Sequence, residues 1–312
     1  MNSLIISLNA VFPVFVLILL GMLLRRIGLM NDITTAQLNR ILFVILMPVL
    51  LFNNIYNTET GDVFHPRLIV YCLGGVAVSW IIVSVLVCIP VKEMRTRGAM
   101  IQGISRSNFI LFGLPIVSNM VSKHTAGVTS IVAAFIVPLF NFLSVITLEI
   151  FRHEKIHLGK ILKGIVKNPL IIGSLLGVAA LFSGVRFPEP IENVLNTVSG
   201  MSSPIGLIIM GAALQFDKIR GNRLVLSISV ISKLVLIPLV GISLGILIGF
   251  RGIDLLTVTT LFAAPTAVSS YPMAVEMDSD SDLACQIVVF TTLFSCLTNF
   301  IFLYLINMLG LI

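Results

Sequence analysis

The chain has 312 residues, of which 57% are hydrophobic and 11% charged, and its formal net charge is +6. This composition leaves too little polar surface to coat a soluble globule of that size, so it excludes a soluble protein and indicates an integral membrane protein. The positive balance gives no argument for a nucleic-acid partner, because Lys and Arg collect in the cytoplasmic loops of membrane proteins.

Ten apolar stretches are each long enough to cross a hydrocarbon core of about 30 Å as a helix. These stretches, called spans 1 to 10, cover residues 4–24, 36–53, 68–90, 98–120, 125–150, 161–183, 194–216, 224–249, 254–275 and 284–310. Span 1 has no basic segment before it and is followed by Arg25 and Arg26, so we expect a retained helix and not a secretory signal. The sequence therefore predicts an all-α membrane protein with both the first and the last span kept.

The orientation of the spans follows from the positive charges around the loops. Loops after odd-numbered spans, with their flanking residues, carry thirteen Lys and Arg residues. Loops after even-numbered spans carry four, namely Arg67, Lys123, Arg186 and Arg251. Odd-numbered loops are therefore expected in the cytoplasm, and with ten spans both termini are expected outside.

Two of the spans contain residues that interrupt a membrane helix. Span 4 contains the segment SNFILFGLP, with Asn108, Gly113 and Pro115. Span 9 contains AAPTAVSSYP, with Pro265, Thr266, Ser269 and Ser270. Broken helices at corresponding places in two halves of a chain point to the binding site of a transporter, so these seven residues are the candidate substrate-binding residues.

The two halves of the chain, residues 1–150 and 161–312, are predicted to be structural repeats. At an offset of 156 residues Pro13 meets Pro169, Gly21 meets Gly177 and Pro48 meets Pro204, and the register slips beyond span 4. Chance matches of Gly and Pro, which are frequent in membrane helices, are the alternative. Five spans per half is an odd number, so the repeats would be inverted in the membrane and spans 4 and 9 would cross near its middle.

Each break is expected to expose backbone amides to a buried cavity. Pro115 and Pro265 can each begin a new half-helix, since the first turn does not need their missing N–H. The amides at 116–118 and 266–268 would then direct partial positive charge at the cavity. Such helix ends attract anions, so we expect a substrate that carries a carboxylate or a similar group.

Arg106 in span 4 and Lys233 in span 8 are basic residues within predicted spans. Arg near a helix end commonly extends to the membrane interface, and the alternative for Arg106 is that it draws anions from the cytoplasm. Lys233 lies near the middle of its span, where an ionisable side chain is costly and marks a functional site. A structural ion pair with Glu149 is the alternative for Lys233.

Other polar residues in the spans are expected to have structural roles. Asn141 and Asn299 are interpreted as packing residues that hold helices together. The acidic residues Asp278, Asp280 and Asp282 precede span 10 and are expected to cap that helix. The four cysteines lie in predicted spans without metal-ligand spacing, so no metal site, disulfide or cofactor is expected.

The order of these motifs resembles that of the auxin efflux carrier family, which includes plant PIN-type carriers and bacterial carriers of malonate-like acids. Asn108, Gly113 and Pro115 are similar to the crossing motif of that family. Further similar positions along the chain are Pro48 with Phe52, Asn168 with Pro169, Lys233 with Pro238, and Pro265, Ala274, Glu276 and Asp282. The resemblance covers all ten spans.

The resemblance implies a fold like that of sodium/proton antiporters or bile-acid transporters. Spans 1, 2, 6 and 7 would form a scaffold that pairs as a homodimer, and spans 3–5 and 8–10 a transport domain that moves like an elevator. Asn108 would donate to a substrate carboxylate. The long hydrophilic loop of many plant members is absent after span 5, and span 3 lacks their Asp and Lys, so the bacterial carriers are the nearer match.

The function expected from the sequence is secondary transport of a small organic anion across the cell membrane, with a bacterial inner membrane as the expected location. The substrate would be malonate-like or auxin-like, with the membrane potential or a proton gradient as driving force. A sodium or cation/proton antiporter of the same architecture and a membrane sensor that does not transport are the alternatives. An enzyme is disfavoured, because His65, His124, His153 and His157 lie outside the span interiors and no nucleophile motif occurs.

Overall fold

Helices occupy all ten predicted spans in the computed structural model, which describes residues 2–57, 65–152 and 158–312. No strand occurs within those ranges. The helices are α1 (Asn2–Arg26), α2 (Asp32–Tyr56), α3 (Pro66–Cys88), α4 (Met94–Ser105), α5 (109–120), α6 (Lys123–Arg152), α7 (Leu158–Lys167), α8 (Pro169–Ser183), α9 (Glu189–Ala213), α10 (216–248), α11 (Gly252–Ala263), α12 (Ser270–Glu276) and α13 (Ser281–Met308). Of the residues weighed above, His153 and His157 lie outside the described ranges.

Seven stretches of the described chain are helical, long and apolar enough to cross a membrane, and α7 with α8 would make an eighth as one bent span. The predicted ninth span is absent from this group because its apolar residues are divided between α11, with 12 residues, and the shorter α12. Large apolar side chains cover the outside of the helices, and Phe182 and Leu247 are 81% and 80% exposed. Such a surface is stable against lipid and costly in water, so the protein is a multi-pass membrane protein.

Pro169 divides the predicted sixth span into two helices that meet at an angle of 55°. The residue before a proline is driven out of the helical region, and Asn168 has φ −69° and ψ 123°. The Asn168 side chain accepts a hydrogen bond from the amide of Leu170 at 2.9 Å and so caps α8. The bend therefore follows from one Asn-Pro pair.

Three helices contain a five-residue π-helical turn that ends two residues before a proline. The turns are Leu42–Leu46 before Pro48, Phe109–Gly113 before Pro115 and Ser232–Leu236 before Pro238. A proline inside a helix cannot donate to the preceding turn and its ring clashes with that turn, so a wider turn relieves the conflict. The functional candidates Gly113 and Lys233 both lie in such turns.

Two helix pairs approach so closely that their backbones touch. A Cβ on Gly21 of α1 would lie 2.0 Å from the carbonyl oxygen of Ile208 in α9. A Cβ on Gly177 of α8 would lie 3.0 Å from the carbonyl oxygen of Phe52 in α2. Adding 156 to 21 and to 52 gives 177 and 208, so the two contacts correspond under the offset between the halves. Glycine is required in both places because any side chain would separate the helices.

Apolar packing joins helices of the two halves of the chain. One buried apolar cluster joins residues of α3, α5, α6, α10, α11 and α13, including Leu68, Ile136 and Leu255, each less than 1% exposed. The start of α13 is capped as the sequence predicts, since the Asp280 carboxylate accepts from the amide of Leu283 at 2.9 Å. The apolar cluster includes Phe109, which lies within the interrupted segment of span 4.

Candidate functional site

The two interrupted segments meet, as the sequence predicts. Residues 106–108 separate α4 from α5, and residues 264–269 separate α11 from α12. The amide of Asn108 donates to the carbonyl of Pro265 at 2.7 Å, which ties one break to the other. The Thr266 hydroxyl donates to the carbonyl of Gly103 at 2.6 Å, so a second bond crosses the same point. Unwound backbone at this depth is thus satisfied by protein and not by lipid.

The positions of the half-helix starts differ from the prediction. Pro115 does not begin a half-helix, because the π-helical turn at Phe109–Gly113 already starts the second half, and its first intrahelical bond joins the amide of Phe112 to the carbonyl of Asn108. The amides that precede this bond are those of 109–111, and not those of 116–118. A widened turn carries the helix past the proline, so the break lies nearer Asn108 than the Gly-Pro pair suggests.

Pro265 does not begin a half-helix either. Its carbonyl is held by Asn108 in the crossing, and α12 starts five residues later at Ser270. The amide of Thr266 donates to the Thr291 hydroxyl at 3.2 Å, so it is not available to a ligand. Pro265 and Thr266 therefore build the crossing itself.

A cavity of about 110 Å³ lies beside the crossing. Its polar lining residues are Asn54, Arg106, Ser107, Asn108, Ser202, Ser203 and Ser269, and no Asp or Glu of the described chain lines it. Of the predicted site residues, Arg106, Asn108 and Ser269 line the cavity, whereas Gly113, Pro115, Pro265, Thr266, Ser270 and Lys233 do not. Cavities of about 150 Å³ hold one benzene ring, so this one takes a small ligand or the polar end of a longer one.

Asn108 has the strongest signature of a ligand contact. The residue is 6% exposed, and its side-chain Nδ2 is buried without a hydrogen-bond partner among the described residues. An unpaired buried amide donor costs about 1–3 kcal/mol. The neutral amide can donate to a carboxylate, which would remove that cost.

Arg106 does not extend to the membrane interface, so that interpretation was wrong. Its side chain is 5% exposed, with Nη2 donating to Asn141 Oδ1 at 2.5 Å and Nη1 lying 2.6 Å from Met273 Sδ. Asn141, interpreted from the sequence as a packing residue, therefore orients the guanidinium of a cavity-lining arginine. A buried cation without a carboxylate partner is a strong attractor for an anion.

Lys233 does not pair with Glu149. Its Nζ donates to Ser107 Oγ at 2.5 Å, and the side chain is fully buried. Glu149 lies 3.6 Å from Arg152, and the ion pairs within the described ranges do not include Lys233. The lysine thus stands directly behind a serine that lines the cavity.

Gly113 and Ser270 lie outside the cavity. A Cβ on Gly113 would lie 2.3 Å from the ring of Phe109. A larger residue at this position would therefore force that ring out of its place in the π-helical turn. The Ser270 hydroxyl is buried, with no hydrogen-bond partner among the described residues. Both predicted site residues are close to the site in sequence but do not line it.

Four polar lining residues were missed by the sequence reasoning: Asn54, Ser107, Ser202 and Ser203. Ser107 carried a usable signal, since it stands in the break immediately before Asn108. Asn54, Ser202 and Ser203 lie in α2 and α9, far from either break in sequence, and gave no signal. They form the opposite wall of the cavity, where α2 and α9 face the crossing.

A second, larger chamber of about 400 Å³ adjoins the first and shares Asn54, Ile110 and Val137 with it. It extends toward the ends of α2 and α5, where Asn57 and Ser118 line it. On the opposite side of the cavity, Asn39 of α2 donates to Glu276 of α12 at 3.0 Å. The cavity thus continues into open space at one end and is bridged by a hydrogen bond toward the other.

Comparison with known proteins identifies relatives that are described as transporters. An uncharacterised transporter of Methanothermobacter thermautotrophicus is 25% identical over 300 residues, covering 93% of this chain and 95% of that one. An uncharacterised transporter of Methanocaldococcus jannaschii is 21% identical over 300 residues, covering 94% and 96%. A Rhizobium meliloti protein named "putative malonate transporter" is 27% identical over 148 residues, covering 47% and 46%.

A family model described as "Membrane transport protein" matches residues 6–303. That range contains both breaks, the cavity and the buried cations Arg106 and Lys233. The similarity to the auxin efflux carriers seen in the motifs is thereby confirmed, and the chain belongs to this family of membrane transport proteins.

Proposed function

We propose that the protein is a secondary transporter that carries a small organic anion across the membrane. The single observation that supports this most strongly is the Asn108 amide, buried beside the crossing with an unpaired Nδ2 in a cavity that it lines together with Arg106. Donors and a positive charge without any lining carboxylate favour an anionic ligand over a cation. A cation antiporter would need carboxylates at this place.

The proposed architecture is two inverted repeats of five spans each. Its support is the pair of glycine contacts related by the 156-residue offset, together with the bond from the Ser202 hydroxyl to the Leu46 carbonyl at 2.7 Å. Leu46 and Ser202 are themselves 156 residues apart, as expected for residues next to a two-fold axis. Inverted repeats of this kind place the substrate at their interface.

The proposed mechanism is alternating access by an elevator-type motion. Helices α1, α2 and α7–α9 would form the scaffold, and α3–α6 with α10–α13 would carry the substrate. Asn54, Ser202 and Ser203 on one wall belong to the scaffold, and Arg106 and Asn108 on the other to the moving part. The larger adjoining chamber would be the entrance, and the Asn39–Glu276 bond would close the opposite side.

The proposed orientation and location of the transporter follow from the distribution of its positive charges and from its family. With odd-numbered loops in the cytoplasm, the adjoining chamber would open outward, and both termini would lie outside a bacterial inner membrane. An inside-negative potential contributes about 2.3 kcal/mol per charge per 100 mV toward anion export, so import would need proton coupling. A homodimer formed by the scaffold is expected.

Flux measurements in proteoliposomes test the proposal. The full chain should take up labelled malonate with saturation, and Asn108→Ala should remove most of that uptake because the buried donor is lost. Asn119→Ala is the matched control, since Asn119 is exposed and its amide bonds to Pro115 of its own helix at 2.8 Å. Malonate binding without flux would indicate a sensor, and cation-driven proton movement without any organic anion would indicate an antiporter.

A further inference from the structure

We propose that Ser107 is a ligand-binding hydrogen-bond donor and that Lys233 is the positioning residue that keeps its hydroxyl in the donor role. This inference rests on the proposed function, because it concerns how the same cavity recognises an anion. Ser107 is not part of the motif that the sequence identified at the break. Lys233 would act on the substrate indirectly, through Ser107.

The charged form of Lys233 determines the direction of the hydrogen bond between the two residues. An ammonium has three donors and no acceptor, so in the 2.5 Å contact between Lys233 Nζ and Ser107 Oγ the serine oxygen accepts. The hydroxyl hydrogen of Ser107 must then point elsewhere. No hydrogen bond donated by Ser107 occurs among the described residues.

The available partner for that hydrogen is a molecule in the cavity. Ser107 is 6% exposed and lines the cavity between Arg106 and Asn108, so three consecutive residues present donors to one space. The lysine charge strengthens the bond that the hydroxyl donates, as hydrogen bonds next to charged groups are stronger than neutral ones. A cation in the same space would find a hydroxyl whose oxygen is already engaged by an ammonium.

Other buried serines do not have this arrangement. The Ser202 hydroxyl, on the opposite wall of the cavity, donates to the carbonyl of Leu46 at 2.7 Å. The Ser229 hydroxyl, one turn before Lys233 in α10, donates to the carbonyl of Val225 at 2.8 Å. In these two serines the donor is consumed inside the protein, whereas the Ser107 hydroxyl accepts from Lys233 and donates to no described residue.

The test is saturable uptake of labelled malonate by proteoliposomes containing the full chain, with KM and maximal rate measured separately. Ser107→Ala should raise KM about 10- to 100-fold, the range of one charge-assisted hydrogen bond. Lys233→Gln should raise KM similarly, because the Gln carbonyl can accept the serine hydrogen. Lys233→Arg, which only donates, should restore most of the affinity.

Ser229→Ala is the matched control and should leave KM unchanged, and thermal unfolding without malonate should show that each variant is folded. Where Lys233→Gln fails to fold, Ser107→Ala and Ser107→Thr still decide: threonine keeps the hydroxyl and should retain affinity. An unchanged KM in Ser107→Ala, with wild-type uptake intact, would overturn this inference alone. A wild-type protein that neither binds nor carries carboxylates would overturn the proposed function and this inference together.

Discussion

Ser202 donates its hydroxyl to the backbone carbonyl of Leu46 at 2.7 Å, and the two residues are separated by the 156 positions that we propose relate the two halves of the chain. A contact between equivalent positions is expected where a two-fold axis passes between repeats. The same contact borders the cavity, since Ser202 lines it opposite Asn108. The same helices, α2 and α9, would therefore set both the proposed relationship between the halves and the proposed position of the ligand.

The close contact of α1 with α9 predicts a sharp dependence on glycine. Gly21→Ala would place a methyl group 2.0 Å from the Ile208 carbonyl oxygen, so the helices must separate. Such overpacking costs about 1–3 kcal/mol, and the apparent Tm in detergent should fall accordingly. Gly74→Ala in α3 is the control, because nothing lies within 4 Å of its added methyl group. Equal Tm values for the two variants would contradict the described packing.

Placing a negative charge at position 108 should lower malonate uptake. Asn108→Asp replaces an unpaired donor with a carboxylate that can only accept, next to any bound anion. Malonate uptake should therefore fall further in Asn108→Asp than in Asn108→Ala, whereas a purely structural asparagine would make the two variants equivalent. Uptake at several malonate concentrations in proteoliposomes measures the difference.

Arg106 should be needed for anion affinity and not replaceable by lysine. Arg106→Lys keeps the charge, but a single ammonium cannot reproduce the planar fork that reaches both Asn141 and Met273. We expect KM for malonate to rise about tenfold in Arg106→Lys and about 100-fold in Arg106→Gln. These changes correspond to losing about 1.4 kcal/mol of binding free energy and about twice that amount.

Arg25→Gln provides the matched control for Arg106. Arg25 pairs with Asp32 at 2.7 Å on the surface, where Asp32 is 88% exposed. Exposed pairs contribute about 0–1 kcal/mol, so uptake should be unchanged. Equal KM values in the Arg25 and Arg106 variants would remove Arg106 from the site.

Asp280 lies outside the spans and should make the stability of the protein depend on pH. Burial raises the pKa of its carboxyl above the ordinary value, so the folded protein holds the proton more tightly than the unfolded chain. Its contribution is favourable at low pH and is lost as pH rises through the folded pKa. Asp280→Asn keeps an oxygen for the Leu283 amide, so its Tm relative to wild type should rise as the pH increases above about 4, the ordinary pKa of an aspartate.

Asp280→Ala separates capping from charge. It removes the acceptor for the Leu283 amide, and loss of a helix cap costs about 1 kcal/mol. Its Tm should lie below that of Asp280→Asn at every pH. A Tm difference between Asp280→Asn and wild type that does not change with pH would show that the carboxyl does not titrate differently on folding.

The sequence predicted the helical stretches and the meeting of the two breaks, because apolar length and Pro-Gly interruptions are local signals. It misplaced the start of the second half-helix, since a π-helical turn before Pro115 has no signature separate from the proline itself. The sequence also could not predict the hydrogen-bond partner of Lys233. Ser107 lies 126 positions away, and only the crossing of the helices brings the two together.

Backbone atoms have no rotamers, so two helices whose backbones are in contact cannot adjust by small side-chain rearrangements. Two helix pairs are of this kind, α1 with α9 and α2 with α8. Relative displacement inside the protein is easiest where side chains meet side chains. The cavity beside Asn108 lies on such a boundary, between Ser202 and Ser203 on one wall and Arg106 on the other. In the proposed elevator motion, a solute held there would touch both sides of the boundary, so filling or emptying the cavity would change how readily the two parts slide past each other.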